Sequence, residues 1–175
     1  MTTGTRALAP TEVAGLLDST RGTVLAEVRA LPQDALEWHP APGEWCVKEC
    51  LGHLTEADRR GFNGRIRRIL AESEPFLASW DQAQVERERQ DCRRSAADLL
   101  AEFDLLRADS VALLNGLSDV DLQRGGTHAT VGYVRVVDLI HEWVHHDRNH
   151  VRQLQAVVQA YVWPAMGNCQ RFVGE

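Results

Sequence analysis

The stretch from about Tyr133 to Tyr161 constrains the fold more than any other part of the chain. Its apolar residues Val137, Ile140, Val144, Val151, Leu154 and Val158 recur at helical spacing and form one stripe. Pro164 closes the run. A helix this long with a single apolar stripe is stable only if other helices cover that stripe. The remaining chain supplies three. Thr11 to Leu31 carries Val13, Leu16, Leu17, Val24, Leu25 and Val28, with Thr11 as the expected N-cap. Cys46 to Ala71 presents Val47, Leu51, Leu54, Phe62, Ile66 and Ile69. A third segment starts somewhere after Trp80 and is strongest from Ser95 to Leu114, where Ser95 and Asp98 approximate a capping box.

Pro32, Pro40, Pro42 and Gly43 mark a long first connection. Pro75 marks the second, and Asn115 to His128 the third. Gly52, Gly61 and Gly64 inside the second helix predict a bend or the close approach of a neighbour. No alternating run is long enough to predict a strand. The expected fold class is all-α, a four-helix bundle, forming a single domain over residues 1–175 with its core at about 11–162 and a short C-terminal tail.

Composition narrows the function. Nineteen basic residues against twenty-five acidic ones give a net charge of −6, which disfavours phosphate-backbone binding, so no nucleic-acid partner is expected. Lys48 is the only lysine, and the many arginines read as a bias that decorates solvated helix faces. No apolar run reaches the roughly 20 residues that cross a bilayer, so no membrane partner is expected. Met1 to Thr11 lacks the basic start and apolar core of a signal peptide, and the expected location is the cytoplasm. Cys46, Cys50, Cys92 and Cys169 contain no CxxC pair and are expected as reduced thiols.

Four of the seven histidines, His141, His145, His146 and His150, fall within ten residues of the last helix. His141/His145 and His146/His150 each stand four apart, one turn on one face, but the two pairs are rotated by about 140° from each other. His150 lies roughly 70° from the centre of the apolar stripe, His146 about 110° and His145 about 150°. His146 and His150 are therefore the pair placed to reach a bundle cleft, and two imidazoles at this spacing can bind one divalent ion. Asp147, Arg148 and Asn149 stand between them, so the HExxH mechanism has no support. A third ligand is expected from another helix. His53, at the edge of the apolar face of the second helix, is the best remaining residue. Arg60 and Arg67, at seven-residue steps from His53, are expected on the same side, about 10 Å away at the nearer of the two, to hold an anionic group. The plainer alternatives remain open. HxxxH is common without metal, His141 and His145 read as surface or loop-packing residues, and His39 and His128 as loop residues, with His128 able to approach the cleft. Cys46, Cys50 and His53 share a face, although core packing suits the two cysteines better. Asp147 reads as a partner of a ligating imidazole or as a solvent-facing residue.

Gly43 to Leu54 (GEWCVKECLGHL) resembles the opening of the second helix in the DinB/YfiT-like superfamily, and Val144 to Leu154 (VHHDRNHVRQL) resembles its closing H-D-x-x-H-x-x-Q-L helix. Arg65 to Leu70 and Gly132-Tyr-Val are also similar, so the resemblance spans about Leu31 to Ala160. Cys46 stands where Ser is usual, which removes a good N-cap. The resemblance implies a four-helix bundle of this type that holds a divalent ion, Zn²⁺ or Ni²⁺ foremost, through three histidines. These are His53, His146 and His150 here, with Trp45 as a packing anchor near the site entrance. It implies an enzyme acting on a small-molecule substrate, in many relatives as a homodimer. The first reading is an S-transferase using a low-molecular-weight thiol cosubstrate, as in bacillithiol- and mycothiol-dependent relatives. A metal-dependent hydrolase is the second reading, and a non-catalytic metal-binding stress or interaction protein the third.

Overall fold

The computed structural model describes residues 6–172. Residues 1–5, part of the Met1 to Thr11 stretch, and 173–175, the end of the tail, lie outside the described part. Helix α1 spans Pro10–Ala30. Its N-cap is Ala9 rather than Thr11: Pro10 takes the first helical position, and the Glu12 carboxylate accepts the Ala9 N–H at 2.8 Å. A proline there has its φ already set and forfeits no hydrogen bond. A short α2 (Gln33–Glu37) interrupts the first connection.

The second long rod comprises α3 (Val47–Glu56), a π-helical segment (Ala57–Phe62) and α4 (Asn63–Ala71). Cys46 is the N-cap of α3 without a side-chain cap of its own. Glu49 compensates by accepting the Cys46 N–H at 2.9 Å. Two of the three glycines have the predicted steric reasons. A Cβ on Gly52 would stand 1.7 Å from the Asp91 carboxylate, and one on Gly64 would stand 2.3 Å from the Arg59 carbonyl, which the wide π turn brings up against it.

The third region is divided. Helix α5 (Gln82–Arg89) stops at Gln90, whose φ of 48° is left-handed. A 3₁₀ turn (Asp91–Arg93) follows, and then α6 (Ala96–Asn115), capped by Ser95 Oγ accepting the Asp98 N–H. After the short α7 (Asp119–Gln123) come two strands that the sequence reading did not foresee, β2 (Gly125–His128) and β3 (Gly132–Arg135). They pair antiparallel, Gly125 opposite Arg135, while β1 (Phe76–Leu77) adds in parallel with Leu77 opposite His128. Tyr133 thus belongs to a strand. Helix α8 runs Val136–Val162 and is followed by 3₁₀ turns over Trp163–Phe172.

The four rods (α1, α3–α4, α6 and α8) make the all-α four-helix bundle, with the small sheet at its side. Leu17, Ile66, Leu114 and Trp143 belong to one core cluster; Val24, Leu51, Phe103 and Leu154 belong to a second. Arg107 links them, its guanidinium standing over both the Phe103 and Trp143 rings. It is fully buried, unlike the solvated arginines expected from composition, and pairs with Asp58 and Asp147. Burial works against the Arg107 charge, but Asp147 and Asp58 more than restore it, so its pKa stands above the ordinary arginine value. Lys48 is buried as well, with Nζ donating to Glu37 at 2.8 Å. Among the described residues no helix is long and apolar enough to cross a membrane.

Candidate metal centre

The packing of α3 against α8 sets His53 opposite His146 and His150. His53 Nε2 and His146 Nε2 are 3.1 Å apart, and each of the three rings offers a nitrogen within 4.8 Å of the other two. His150 donates from Nδ1 to the Gln153 side-chain oxygen at 2.9 Å, which leaves its Nε2 as a lone pair. Trp45 tilts over His53 with centroids 4.9 Å apart and stacks on His150 at 6.0 Å; Trp80 stacks on His53 at 5.9 Å. Trp45 therefore packs on the histidines as the resemblance implied.

Burial, and then the His150 charge, push His53 down to about 3. Burial, then His150 and His53, push His146 to about 3 as well. Burial also holds His150 below the ordinary histidine value. All three rings are neutral at pH 7, the protonation state in which imidazole ligates a metal. Two nitrogens bound at about 2.0–2.1 Å to one ion stand about 3.0–3.4 Å apart, so the 3.1 Å separation of His53 and His146 already fits a shared cation. Without an ion, two Nε2 atoms face each other and His146 Nδ1 is buried with no hydrogen-bond partner. The donor set suits Zn²⁺, Ni²⁺ or a related ion.

The rings line one side of a cavity of about 370 Å³. Glu142, Arg65 and Ser79 also line it, together with His128 from β2. Thr130 N–H donates to His128 Nδ1, so Nε2 carries the proton, and it is buried with no partner. Burial, then Arg65, hold His128 below the ordinary histidine value. The sequence reading missed Glu142, although its place one turn before His146 on the same helical face was a usable signal.

Other residues fall elsewhere. Asp147 neither faces solvent nor touches an imidazole; it is buried against Arg107. Arg60 pairs with Glu56 and Arg67 with Asp109, so neither faces the site. The π turn explains this. On a straight helix Arg65 would lie about 120° round from His53, but one residue absorbed by the wide turn brings it to about 20°. Arg65 thus takes the cavity position expected of Arg60 and Arg67. His141 packs a loop, accepting the Leu8 N–H at 2.9 Å, and His145 is exposed. His39 meets Glu49 at 2.9 Å, and the two buried cysteines, Cys46 and Cys50, do not join the histidine cluster.

The family model described as the DinB superfamily matches residues 16–154. The chain belongs to the DinB superfamily. Among curated proteins none matches its sequence. Among solved structures, this DinB protein is similar to YfiT from Bacillus subtilis, described as a probable metal-dependent hydrolase with an unusual four-helix bundle topology. The TM-score is 0.81 over 93% of each chain, at 18% identity. That likeness establishes the fold of the DinB bundle.

Proposed function

We propose that this DinB protein is a metal-dependent enzyme in which His53, His146 and His150 hold a divalent ion, Zn²⁺ or Ni²⁺ foremost. The observation that carries the reading is three neutral imidazoles converging beside an open-sided cavity of about 370 Å³. A structural site would close the coordination shell, whereas a catalytic one leaves positions for substrate. The bound ion would lower the pKa of a thiol or water that reaches it.

The favoured reaction is transfer of a low-molecular-weight thiol to an electrophilic small molecule. A second cavity of about 430 Å³ is lined by Trp45 with Gly43, Glu44, Gln153 and Ala160, and the Trp45 indole tilts over His53 and stacks on His150, two of the rings that line the first cavity. Two cavities linked by the contact of Trp45 with His53 and His150 suit a reaction of two substrates. The chain's own residues have definite tasks in this scheme. Glu142 accepts the proton released by the thiol, Arg65 holds an anionic group, and His128 donates from Nε2 to oxygen on the electrophile. Hydrolysis is the second reading. It is supported by the description of YfiT as a probable metal-dependent hydrolase and by the same cavity, with Glu142 taking a proton from water.

Metal-loaded protein is offered a panel of low-molecular-weight thiols with a chromogenic electrophile, and separately esters and amides without thiol. Thiol conjugation is expected, and His146→Ala should abolish it together with the equivalent of metal that the three histidines hold. Ester or amide turnover without thiol, and no conjugation, would replace transfer by hydrolysis. Full metal content in His53→Ala, His146→Ala and His150→Ala variants would overturn the site.

A further inference from the structure

A second group of metal-ligating side chains lies apart from the three histidines. His39, Cys46, Glu49 and Cys92 each place a ligand atom within 4.8 Å of the others. They come from three separate pieces of chain: the connection after α2, the start of α3, and the 3₁₀ turn between α5 and α6. Glu49 Oε2 caps Cys46 N–H and meets His39 Nε2, each at 2.9 Å, and the carboxylate has a second oxygen to offer. The Cys92 thiol makes a long 3.8 Å contact to the Glu37 carbonyl. Nothing in the histidine cavity uses these residues.

We propose that these four side chains form a second, closed cation site of the zinc type. Two sulfurs, one imidazole and one carboxylate make a four-coordinate set, and the paired sulfurs select Zn²⁺ over harder ions. Sulfurs at about 2.3 Å from one tetrahedral ion stand about 3.8 Å apart, a modest contraction at most of the cluster as it lies. Binding displaces one proton from each thiol to solvent and leaves two thiolates and a carboxylate around a divalent ion, a net charge of −1. Arg87 and Arg93 line the cavity of about 430 Å³ that Glu49 and Cys92 border, and they offset that charge. The ion ties the three pieces together beside Trp45, the indole that walls the histidine site. This is a structural clip, distinct in donor chemistry from the three-imidazole site.

Cobalt separates the two sites, because only thiolate ligands give a near-ultraviolet sulfur-to-cobalt charge-transfer band. Reduced, metal-free full-length protein is titrated with Co²⁺. The band is expected to saturate within two equivalents per chain in the unaltered protein, and at one equivalent in the triple His53→Ala/His146→Ala/His150→Ala variant, where only this site is left. It should be lost in Cys92→Ala, and His39→Ala should weaken Co²⁺ binding at the band by more than tenfold. Both substitutions lie outside the buried core, so the test does not depend on replacing the buried Cys46. Absence of the band in the unaltered protein, or its survival in Cys92→Ala, overturns the proposal. So does mass-spectrometric detection of a Cys46–Cys92 disulfide that forms in air while Zn²⁺ is present.

Discussion

Gln153 decides which nitrogen of His150 is free, because its side-chain oxygen accepts a hydrogen bond from Nδ1–H at 2.9 Å. A partner of this kind fixes ring orientation and tautomer, and its loss typically weakens metal binding 10–100-fold. Gln153→Ala should therefore lower Zn²⁺ affinity by about 10–100-fold with little change in helix content, read by competition with a chromogenic chelator. Unchanged affinity would mean that His150 is oriented by packing alone. Gly52 has a different constraint. Its absent side chain makes room for Asp91, which Arg89 and Arg94 hold in place. Gly52→Ala forces that carboxylate out and should cost about 1–3 kcal/mol, measured by urea unfolding. At this scale the sequence was legible where local geometry decides. Helical rotation alone placed His146 and His150 nearer the core than His145. It was illegible where the partner comes from across the bundle: nothing near Asp147 in the chain reveals Arg107, which lies 40 residues away in sequence.

Among the elements, a charged network ties the π segment, α5 and the turn before α6 to α6, with Glu102 accepting from Arg59, Arg89 and Arg94. Burial alone would raise the Glu102 pKa, but hydrogen bonds from Arg89, Arg59 and Arg94 outweigh it and bring it from the ordinary 4.5 to about 2. The folded pKa is depressed, so the unfolded chain binds the proton more readily. The stabilisation is complete above about pH 4.5 and is lost as pH falls through about 2. Glu102→Gln should flatten the pH dependence of Tm between these limits. An unchanged slope would show that the network is solvent-screened. The long elements were readable because a 3.6-residue period persists over four or more turns in α1 and α8, and because Ser95 marks the start of α6. The strands were not, since two to four residues are too few for alternation and β2 opens with two glycines. The break at Gln90 was also hidden, because no glycine or proline marks its left-handed backbone.

At the level of the whole molecule, His53 and His146 are 93 residues apart in sequence, and the proposed ion between them would tie the second rod to the last. A ligand at 100 times its dissociation constant stabilises the folded state by about 2.7 kcal/mol. For a chain of this length that corresponds to a rise in Tm of about 5–10 °C. In the Cys92→Ala background, which lacks the second site, Zn²⁺ should produce such a rise by calorimetry, and adding His53→Ala should remove most of it; an equal rise in both proteins would place the stabilising ion elsewhere. The bundle and two of its histidines were readable from periodicity, and His53 from its helix edge. The cavity was not, because its walls come from α4, α8 and a sheet too small to foresee. The π turn has one more consequence, for how such chains can change in length. Since it holds one residue more than a regular helix would, the second rod can lose a single residue there and simply close into ordinary α-helix. His53 and Arg65 would still face the same cavity. The same loss one turn later, beyond the π segment, would instead rotate the end of α4 by about 100° and turn Ile69 out of the core. The wide turn is thus the place on this rod where a one-residue deletion is silent for the site.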